Sequence, residues 1–259
     1  MSAHWRAFDD ELARWREDGR TVDFWWRDDD ACRDHPALTR LLSLAQSAGV
    51  PLGLAVIPLD VAAGLFAGLP QGVAVLQHGC DHRNRAPAGG RKCESPDTES
   101  RDDFVLRLAT ARRALLAATN GRALPVLVPP WNRLGDAKLA CLPQAGIGGL
   151  SRFGARKVAD PGASLAEVNT HVDLIDWRGS RGFAGEAAVL AQAARHLAAR
   201  REGRDVSGRP VDPVEPTGWL SHHLVHDAAV WAFLDTLFER TRRHGSVRWL
   251  HPEHLFAAP

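Results

Sequence analysis

The chain has 259 residues with 32 basic and 31 acidic side chains, so its formal net charge at neutral pH is only +1. This balance argues against attraction of the whole molecule to nucleic acid or to an anionic membrane. Residues 1 to 24 lack the apolar core of a signal peptide, and no apolar run approaches the ~20 residues that span a bilayer. We therefore expect a cytoplasmic protein with no transmembrane segment and no nucleic-acid partner.

Short apolar strands alternate with helical patterns along the chain. Strands are predicted at 22–27, 51–58, 73–78, 124–131, 147–151, 170–177, 217–223 and 246–250, and helices at 35–49, 58–70, 104–121, 136–145, 184–203 and 227–245. Strands that are hydrophobic almost throughout are typical of a parallel sheet covered on both faces. About seven such units without a linker predict an α/β fold, a deformed (β/α) barrel of about seven parallel strands that forms one catalytic domain over residues 1–259.

Unusual polar residues follow two of the early strands, and functional groups in parallel α/β folds collect at such strand ends. Asp28, Asp29 and Asp30 follow the first strand, where their mutual repulsion requires a cation or a proton unless they form a solvated turn or a helix cap. His78 and His82 end the third strand four residues apart, a spacing that lets two imidazoles reach one metal ion. One carboxylate with two imidazoles leaves metal positions open for water and substrate. A pair of surface histidines is the alternative.

Three further motifs occur at later strand ends: Pro-Pro-Trp at 129–131, "DLIDW" at 173–177 and "LSHH" at 220–223. With the aspartates and the histidines, in this order, they resemble the motifs of the polysaccharide deacetylase superfamily, the NodB-type metal-dependent carbohydrate esterases. Each motif alone is weak, but the ordered set is specific and extends from residue 27 to residue 223. The resemblance implies a hydrolase with one divalent metal ion, which we expect to be zinc.

The resemblance also implies roles for the first two motifs. In the family, an Asp-Asp pair supplies a general base and then a metal ligand, and His-x-x-x-His supplies two more ligands. Alignment on the small residue after the pair makes Asp29 the base and Asp30 the ligand that joins His78 and His82. The register shifted by one, with Asp28 as the base and Asp29 as the ligand, stays open.

Two other positions of the family pattern are ambiguous in this sequence. The Leu-x-His motif assigns the general acid to His222, with His223 as the alternative. The family usually has an arginine before Pro-Pro that orients the base, whereas Val128 stands there in this chain. Arg27 or Arg133 could supply the missing cation, and the departure indicates an atypical branch.

The resemblance places the substrate groove at the third and fourth motifs. The residues expected to bind substrate are Trp131, Asn132, Arg133, Asp173, Asp176 and Trp177. The Asp-x-x-Asp-Trp element tunes the catalytic histidine in the family, so we expect Asp173 or Asp176 to hydrogen-bond His222 and fix its tautomer. A salt bridge to Arg178 is the alternative.

The activity implied by the resemblance is removal of an N-acetyl or related acyl group from an intracellular glycan, a lipid-linked sugar or a sugar derivative. Another metal-dependent amidohydrolase or phosphoesterase on the same barrel is one alternative, and a non-catalytic glycan-binding relative is another. The loop 83–103 either contacts an anionic part of the substrate or forms a solvated surface. Its basic residues in the first half are Arg83, Arg85, Arg91 and Lys92.

Overall fold

The computed structural model describes residues 2–62, 65–66, 68–156 and 165–257. Its strands are β1 (Val22–Ala31), β2 (Leu52–Val56), β3 (Val73–His78), β4 (Ala123–Val128), β5 (Gly149–Leu150), β6 (Ala166–Glu167), β7 (Val172–Asp173), β8 (Thr217–Ser221) and β9 (Val247–Trp249). Its α-helices are α1 (Ala3–Glu17), α2 (Pro36–Ala48), α3 (Arg101–Ala118), α4 (Glu186–Glu202), α5 (Ala228–Arg242) and α6 (Pro252–Leu255). Short 3-10 helices lie at Pro58–Asp60, Pro130–Asn132, Asp136–Ala145 and His223–Val225.

The strands form one parallel sheet in the order β6-β5-β4-β3-β2-β1-β8-β7, and β9 pairs with the first residues of β1. Helices surround this curled sheet, which confirms the predicted parallel (β/α) barrel class. The central strands β2 and β3 are buried throughout, as their continuous hydrophobicity predicts. Among the helices of the described ranges, none has the length and apolar character needed to cross a membrane.

The pleat of β1 divides its side chains between two hydrophobic cores. Phe24 and Trp26 belong to the large core that the sheet shares with the outer helices, whereas Trp25 belongs to a smaller core inside the curled sheet. Continuing this alternation along the strand places Arg27 on the inner face and Asp28 on the outer face. The consecutive polar residues at the end of β1 therefore enter different environments.

The segment 58–70 differs from its prediction as a helix, which was wrong for the residues that the structure describes. Only Pro58–Asp60 is helical there, as a single 3-10 turn, and residues 63, 64 and 67 lie outside the described ranges. The N–H of Leu59 donates to the carbonyl of Cys80, 3.0 Å away, in the loop after β3. The N–H of Ala62, which an α-helix would pair with the carbonyl of Pro58, donates instead to the carbonyl of Cys32 at 2.9 Å, and Val61 is extended, so the helix does not continue.

Two other elements are less regular than predicted. The strand expected at 170–177 pairs with β8 only at Val172–Asp173, because the chain then enters a tight turn around Asp176. The helix expected at 136–145 is a 3-10 helix that contains Pro143. In an α-helix the proline ring would collide with the carbonyl four residues earlier, which disfavours an α-helix there.

Candidate active site

The three consecutive aspartates lie in three different environments at the carboxyl end of β1. Asp29 faces Arg27 on the inner side of the sheet, and Asp28 faces Ser221 of β8 on the outer side. Asp30 adopts a left-handed backbone conformation with φ of 74°, and its carboxylate approaches the end of β3. Strand pleating and one backbone turn thus separate charges that would otherwise repel one another.

Asp30, His78 and His82 converge on one point. Asp30 Oδ1 lies 3.0 Å from His78 Nε2 and 3.3 Å from His82 Nε2, and the candidate ligand atoms of the three residues lie within 4.8 Å of one another. Asp30 Oδ1 is buried and accepts no well-oriented hydrogen bond. A carboxylate oxygen and two imidazole nitrogens so placed fit a single divalent ion such as zinc.

The tautomer of His78 suits metal binding. Its Nδ1 lies 3.0 Å from the backbone oxygen of Val128, on the neighbouring strand β4. Because a carbonyl oxygen only accepts hydrogen bonds, Nδ1 carries the proton and Nε2 presents its lone pair toward Asp30. The histidine is therefore held in the form that a metal ligand requires.

The charges around the cluster keep its carboxylate ionised. Burial opposes ionisation of Asp30, but the nearby His78, His222 and His82 outweigh it and hold the pKa of Asp30 below its usual range. Burial also opposes protonation of His78, yet the contact with Asp30 and the charge of Asp29 raise the pKa of His78. Burial and the neighbouring His78 lower the pKa of His82. Asp30 is thus an anion at neutral pH, as a metal ligand has to be.

Glu94 holds the turn that presents His82, a role that the sequence analysis did not predict. Its buried carboxylate accepts the backbone N–H groups of Cys80, Asp81 and His82 at 2.9, 2.9 and 2.7 Å. Gly79 has φ of 57°, and a side chain there would collide with this carboxylate. The contacts cross a loop of more than ten residues, so no local pattern signals them. The loop 83–103 also contains Asp97, Glu99, Asp102 and Asp103, so nothing in the sequence distinguishes Glu94 from the other acidic residues.

Arg27 is the cation that pairs with Asp29. Its fully buried guanidinium makes two parallel hydrogen bonds to the carboxylate, with Nε 2.9 Å from Oδ1 and Nη2 3.0 Å from Oδ2. It also donates to Asn132 Oδ1 and Ser151 Oγ, each at 2.7 Å. Arg133 donates to a backbone carbonyl instead. Of the two arginines considered from the sequence, only Arg27 therefore contacts Asp29.

Asp28 and His223 form a separate buried pair. Asp28 Oδ1 lies 2.5 Å from His223 Nδ1, and Asp28 Oδ2 accepts a hydrogen bond from Ser221 Oγ at 2.6 Å. Burial opposes both charges, but each partner outweighs it, so the pKa of Asp28 is lowered and the pKa of His223 is raised. This pairing favours the register in which Asp28 is the extra acid, and it leaves His222 as the histidine nearer Asp29.

His222 lies beside Asp29 at the groove. Its Nε2 is 4.0 Å from Asp29 Oδ2, and its ring meets the ring of Trp177 edge to face, with the ring centroids 4.7 Å apart. The side chain of Trp177 is 42% exposed, so it offers a surface to solvent next to the histidine. The exposed ring of Trp177 thus borders the candidate site through His222.

The predicted hydrogen bond from Asp173 or Asp176 to His222 was wrong. The buried Nδ1 of His222 has no hydrogen-bond partner in the described part of the chain. Asp173 accepts the indole N–H of Trp177 at 3.0 Å, and burial raises its pKa although His222 opposes the shift. Asp176 accepts backbone N–H groups of residues 178–180, so it stabilises the turn rather than the imidazole. Each carboxylate is satisfied locally.

The turn that follows β4 contacts the candidate site through His82 and Arg27. Trp131 and Asn132 both have φ of 55°, an uncommon conformation for residues with side chains. The ring of Trp131 lies 4.6 Å from the ring of His82, and Asn132 accepts from Arg27. Arg133, the third residue predicted here, lines a neighbouring cleft.

Comparisons with known proteins give matches among solved structures. No family model and no curated protein matches the sequence. A peptidoglycan N-acetylglucosamine deacetylase is 14% identical, with a TM-score of 0.54 over 96% of this chain and 98% of that chain. A family 4 acetyl xylan esterase from Clostridium thermocellum, in complex with cobalt, is 12% identical, with a TM-score of 0.53 over 90% of each chain.

A third match is a family 4 carbohydrate esterase pseudoenzyme from Bacillus anthracis. It is 17% identical, with a TM-score of 0.53 over 88% of this chain and 63% of that chain. At sequence identities of 12% to 17%, the similarity shows a shared fold and does not by itself show a shared activity. It confirms the resemblance seen in the sequence at that level: the chain has the NodB-type fold of the family 4 carbohydrate esterases, the polysaccharide deacetylases.

Proposed function

We propose that the protein is a metal-dependent hydrolase that removes an N-acetyl or related acyl group from a sugar derivative, and so cleaves a carbon-nitrogen bond outside a peptide. The observation that carries the proposal is the convergence of Asp30, His78 and His82 beside an aspartate that is held by a buried arginine. The structural relatives named as deacetylases and esterases support this reaction class.

The metal ligands would be Asp30, His78 and His82, with zinc as the expected ion. The cobalt ion in the Clostridium thermocellum relative supports a divalent metal in this fold. When bound, the metal would polarise the acyl carbonyl and lower the pKa of water. The chain's own contribution is a set of ligands already fixed by the Val128 carbonyl and by Glu94.

Asp29 is the proposed general base, which takes the proton from the attacking water. Its two oxygens are held by Arg27 in a paired, charge-assisted contact, so the carboxylate has one orientation before substrate arrives. Asn132 and Ser151 hold the arginine in turn. Arg27 is thus a positioning residue that acts through Asp29.

His222 is the proposed general acid, which protonates the departing amine. Trp131, which contacts the proposed ligand His82, supplies the proposed backbone N–H donor to the oxyanion of the tetrahedral intermediate. The rings of Trp131 and Trp177 give the groove two aromatic surfaces suited to a sugar ring.

The decisive experiment is acetate release from N-acetylglucosamine oligomers, measured together with metal content by mass spectrometry. Asp29→Asn should keep about one equivalent of metal and lower kcat by roughly 10²- to 10⁴-fold, because the ligand set stays intact while the base is lost. The matched control is Asp34→Asn, at an exposed carboxylate outside the groove, and it should leave both readings unchanged. Full activity in Asp29→Asn, or loss of its metal, would show that the roles are assigned wrongly.

The two alternative functions are less well supported. A non-catalytic role was suggested by Val128 in place of the family's arginine, and one structural relative is a pseudoenzyme. Arg27 nevertheless supplies a cation to Asp29. A phosphoesterase with two metal ions would need a further acidic ligand, but Asp28 is taken by His223.

A further inference from the structure

A cleft of about 420 Å³ lies beside the candidate active site. It is formed where the loop after β3 meets the loop after β4, and the N–H of Gly135 joins the two loops by donating to the carbonyl of Ser95 at 3.1 Å. We call it the arginine cleft, because its lining includes Arg91, Arg133 and Arg152.

Two of these arginines lack an acidic partner. Arg133 Nη1 donates to the backbone carbonyl of Lys92 at 2.9 Å, and in the described part of the chain neither Arg91 nor Arg133 has a carboxylate within salt-bridge distance. Burial, followed by the charges of Arg91 and Arg178, lowers the pKa of Arg133. The positive charges of these arginines act on the same region, which favours a bound anion there.

Two other charged residues of the cleft lining, Arg152 and Asp97, have partners in the structure. Arg152 is bound by Glu167 at 2.7 Å. Asp97, the acidic residue of the lining, accepts the backbone N–H of Ala137 at 3.2 Å. That hydrogen bond leaves the negative charge of Asp97 in place. Apart from the pair of Arg152 and Glu167, the charged lining is thus Arg91 and Arg133 against one carboxylate, and Arg178 lies close enough to Arg133 to lower its pKa.

The loop 83–103 contributes only part of its basic residues to this charge. Arg83 and Arg85 both bind Asp81, the latter through two hydrogen bonds at 2.7 and 2.8 Å. Lys92 lies over the ring of Trp131, with Nζ 5.8 Å from the centroid. The structure thus separates the residues that stabilise the loop from Arg91, which faces the cleft.

Asn132 connects the cleft to the candidate catalytic groups. It lines the cleft, and its Oδ1 accepts the hydrogen bond from Arg27 that helps to hold Asp29. Trp131, the residue before it, contacts the ring of His82. An anionic group anchored in the cleft would therefore sit next to the groove in which the acyl group reacts.

We propose that the arginine cleft binds a phosphate group of the substrate, so that the enzyme deacylates a phosphorylated acylamino sugar in preference to a neutral glycan. Paired guanidinium groups match the geometry and the double charge of a phosphate better than those of a single carboxylate. The catalytic part of this inference rests on the proposed function, whereas phosphate binding by the cleft does not.

The first test is binding of pyrophosphate to the full-length protein as purified, measured by titration calorimetry. Arg133→Met should weaken binding by about tenfold or more, because a charge-assisted contact to phosphate is lost. The matched control is Arg122→Met, at an exposed arginine just before β4 and thus at the opposite end of that strand, and it should bind like the wild type. Equal affinity of the wild type and Arg133→Met would overturn the proposal.

The second test compares kcat/KM for N-acetylglucosamine 1-phosphate with kcat/KM for N-acetylglucosamine. We expect a preference of at least about tenfold for the phosphorylated sugar in the wild type and in Arg122→Met, and a preference that falls toward one in Arg133→Met. A polyprenyl diphosphate-linked N-acetylglucosamine in detergent identifies the source of the phosphate. A higher kcat/KM for the lipid-linked substrate assigns a lipid carrier, and a lower one assigns a free sugar phosphate.

The two tests separate the two proposals. Hydrolysis of neutral and phosphorylated sugars at equal rates would overturn the phosphate preference and leave the proposed function intact. No hydrolysis of any acetylated sugar, with pyrophosphate binding still lost in Arg133→Met, would overturn the proposed function and support the cleft as a phosphate site.

Discussion

Two clusters that each contain two histidines and one acid lie at opposite ends of the sheet. One follows the strands, and the other precedes them, with His171 just before β7 and Glu215 two residues before β8. In both, the candidate ligand atoms lie within 4.8 Å of one another; the clusters are Asp30 with His78 and His82, and His171 with His196 and Glu215. Residue types and distances therefore do not distinguish them.

The tautomer of the first histidine in each cluster does distinguish them. His78 donates from Nδ1 to a carbonyl, which leaves Nε2 unprotonated. His171 Nδ1 instead accepts the backbone N–H of Gly218 at 3.0 Å, so the proton of the neutral imidazole is on Nε2, which faces Glu215 Oε2 at 3.4 Å. A metal at His171 Nε2 would have to displace that proton.

The ring geometry and the pKa values of the histidines also distinguish the two clusters. The rings of His171 and His196 stack with centroids 3.5 Å apart and planes 15° from parallel, so their in-plane lone pairs run side by side rather than toward one ion. Burial, and then the charges of Arg200 and Arg156, hold the pKa of His171 well below its ordinary value. Nearby aspartates act in the opposite direction on His78. Backbone partners and neighbouring charges thus decide which cluster suits a metal.

The largest expected effect is on metal content. The wild-type protein should hold about one equivalent of a divalent ion, and His82→Ala should lose it, because two ligands rarely retain zinc against a chelator. His196→Gln should keep it, since its cluster is closed to metal. The measurement is mass spectrometry of metal after dialysis against a weak chelator. Two equivalents of metal in the wild type, or loss of metal in His196→Gln, would show that the cluster of His171, His196 and Glu215 also binds metal.

A smaller effect, on metal affinity, tests how the cluster of Asp30, His78 and His82 is held in place. Glu94→Gln should weaken metal affinity by about 10- to 100-fold, because an amide offers one acceptor oxygen to three backbone N–H groups and turns its own N–H₂ group toward them. Competition with a fluorescent zinc chelator measures the affinity.

The matched control is Glu99→Gln. Glu99 binds Arg107 at 2.8 Å, and the same arginine lies 3.6 Å from Glu94, but Glu99 makes no contact with the turn among the described residues. Its variant should keep wild-type metal affinity. An equal loss in both variants would mean that the loop as a whole, rather than the Glu94 carboxylate, supports His82.

The comparison of the two histidine clusters also shows how much of the fold and of the candidate site the sequence could predict. The hydrophobic pattern of the sequence predicted β3 at its observed bounds, 73–78. The order of the motifs predicted Asp30, His78 and His82 as one site, and the structure brings these residues together. Glu94 was missed because its contacts depend on how a long loop closes. The choice of Arg27 over Arg133 was likewise beyond the sequence, because Arg27 lies on β1 and Arg133 follows β4, and only the fold shows which of them reaches Asp29.

The smallest expected effect is on the pH dependence of stability, and it concerns His196 in the cluster with His171 and Glu215. Burial and the neighbouring His171 and Arg200 hold the pKa of His196 well below its ordinary 6.5, so the unfolded chain takes up a proton there that the folded chain does not. This group therefore lowers the free energy of unfolding as the pH falls below 6.5.

His196→Gln removes this proton uptake while its amide still reaches Thr217, which lies 2.9 Å from His196 Nδ1. Between pH 7.5 and 5.5 the variant should lose about 1.4 kcal/mol less stability than the wild type. Urea unfolding at both pH values measures the difference. His78, whose pKa is raised, makes the opposite contribution: it adds stability below pH 6.5 that is lost as the pH rises. Equal pH dependence of stability in the wild type and His196→Gln would mean that His196 takes up its proton as readily in the folded chain as in the unfolded chain, which would contradict a neutral buried imidazole.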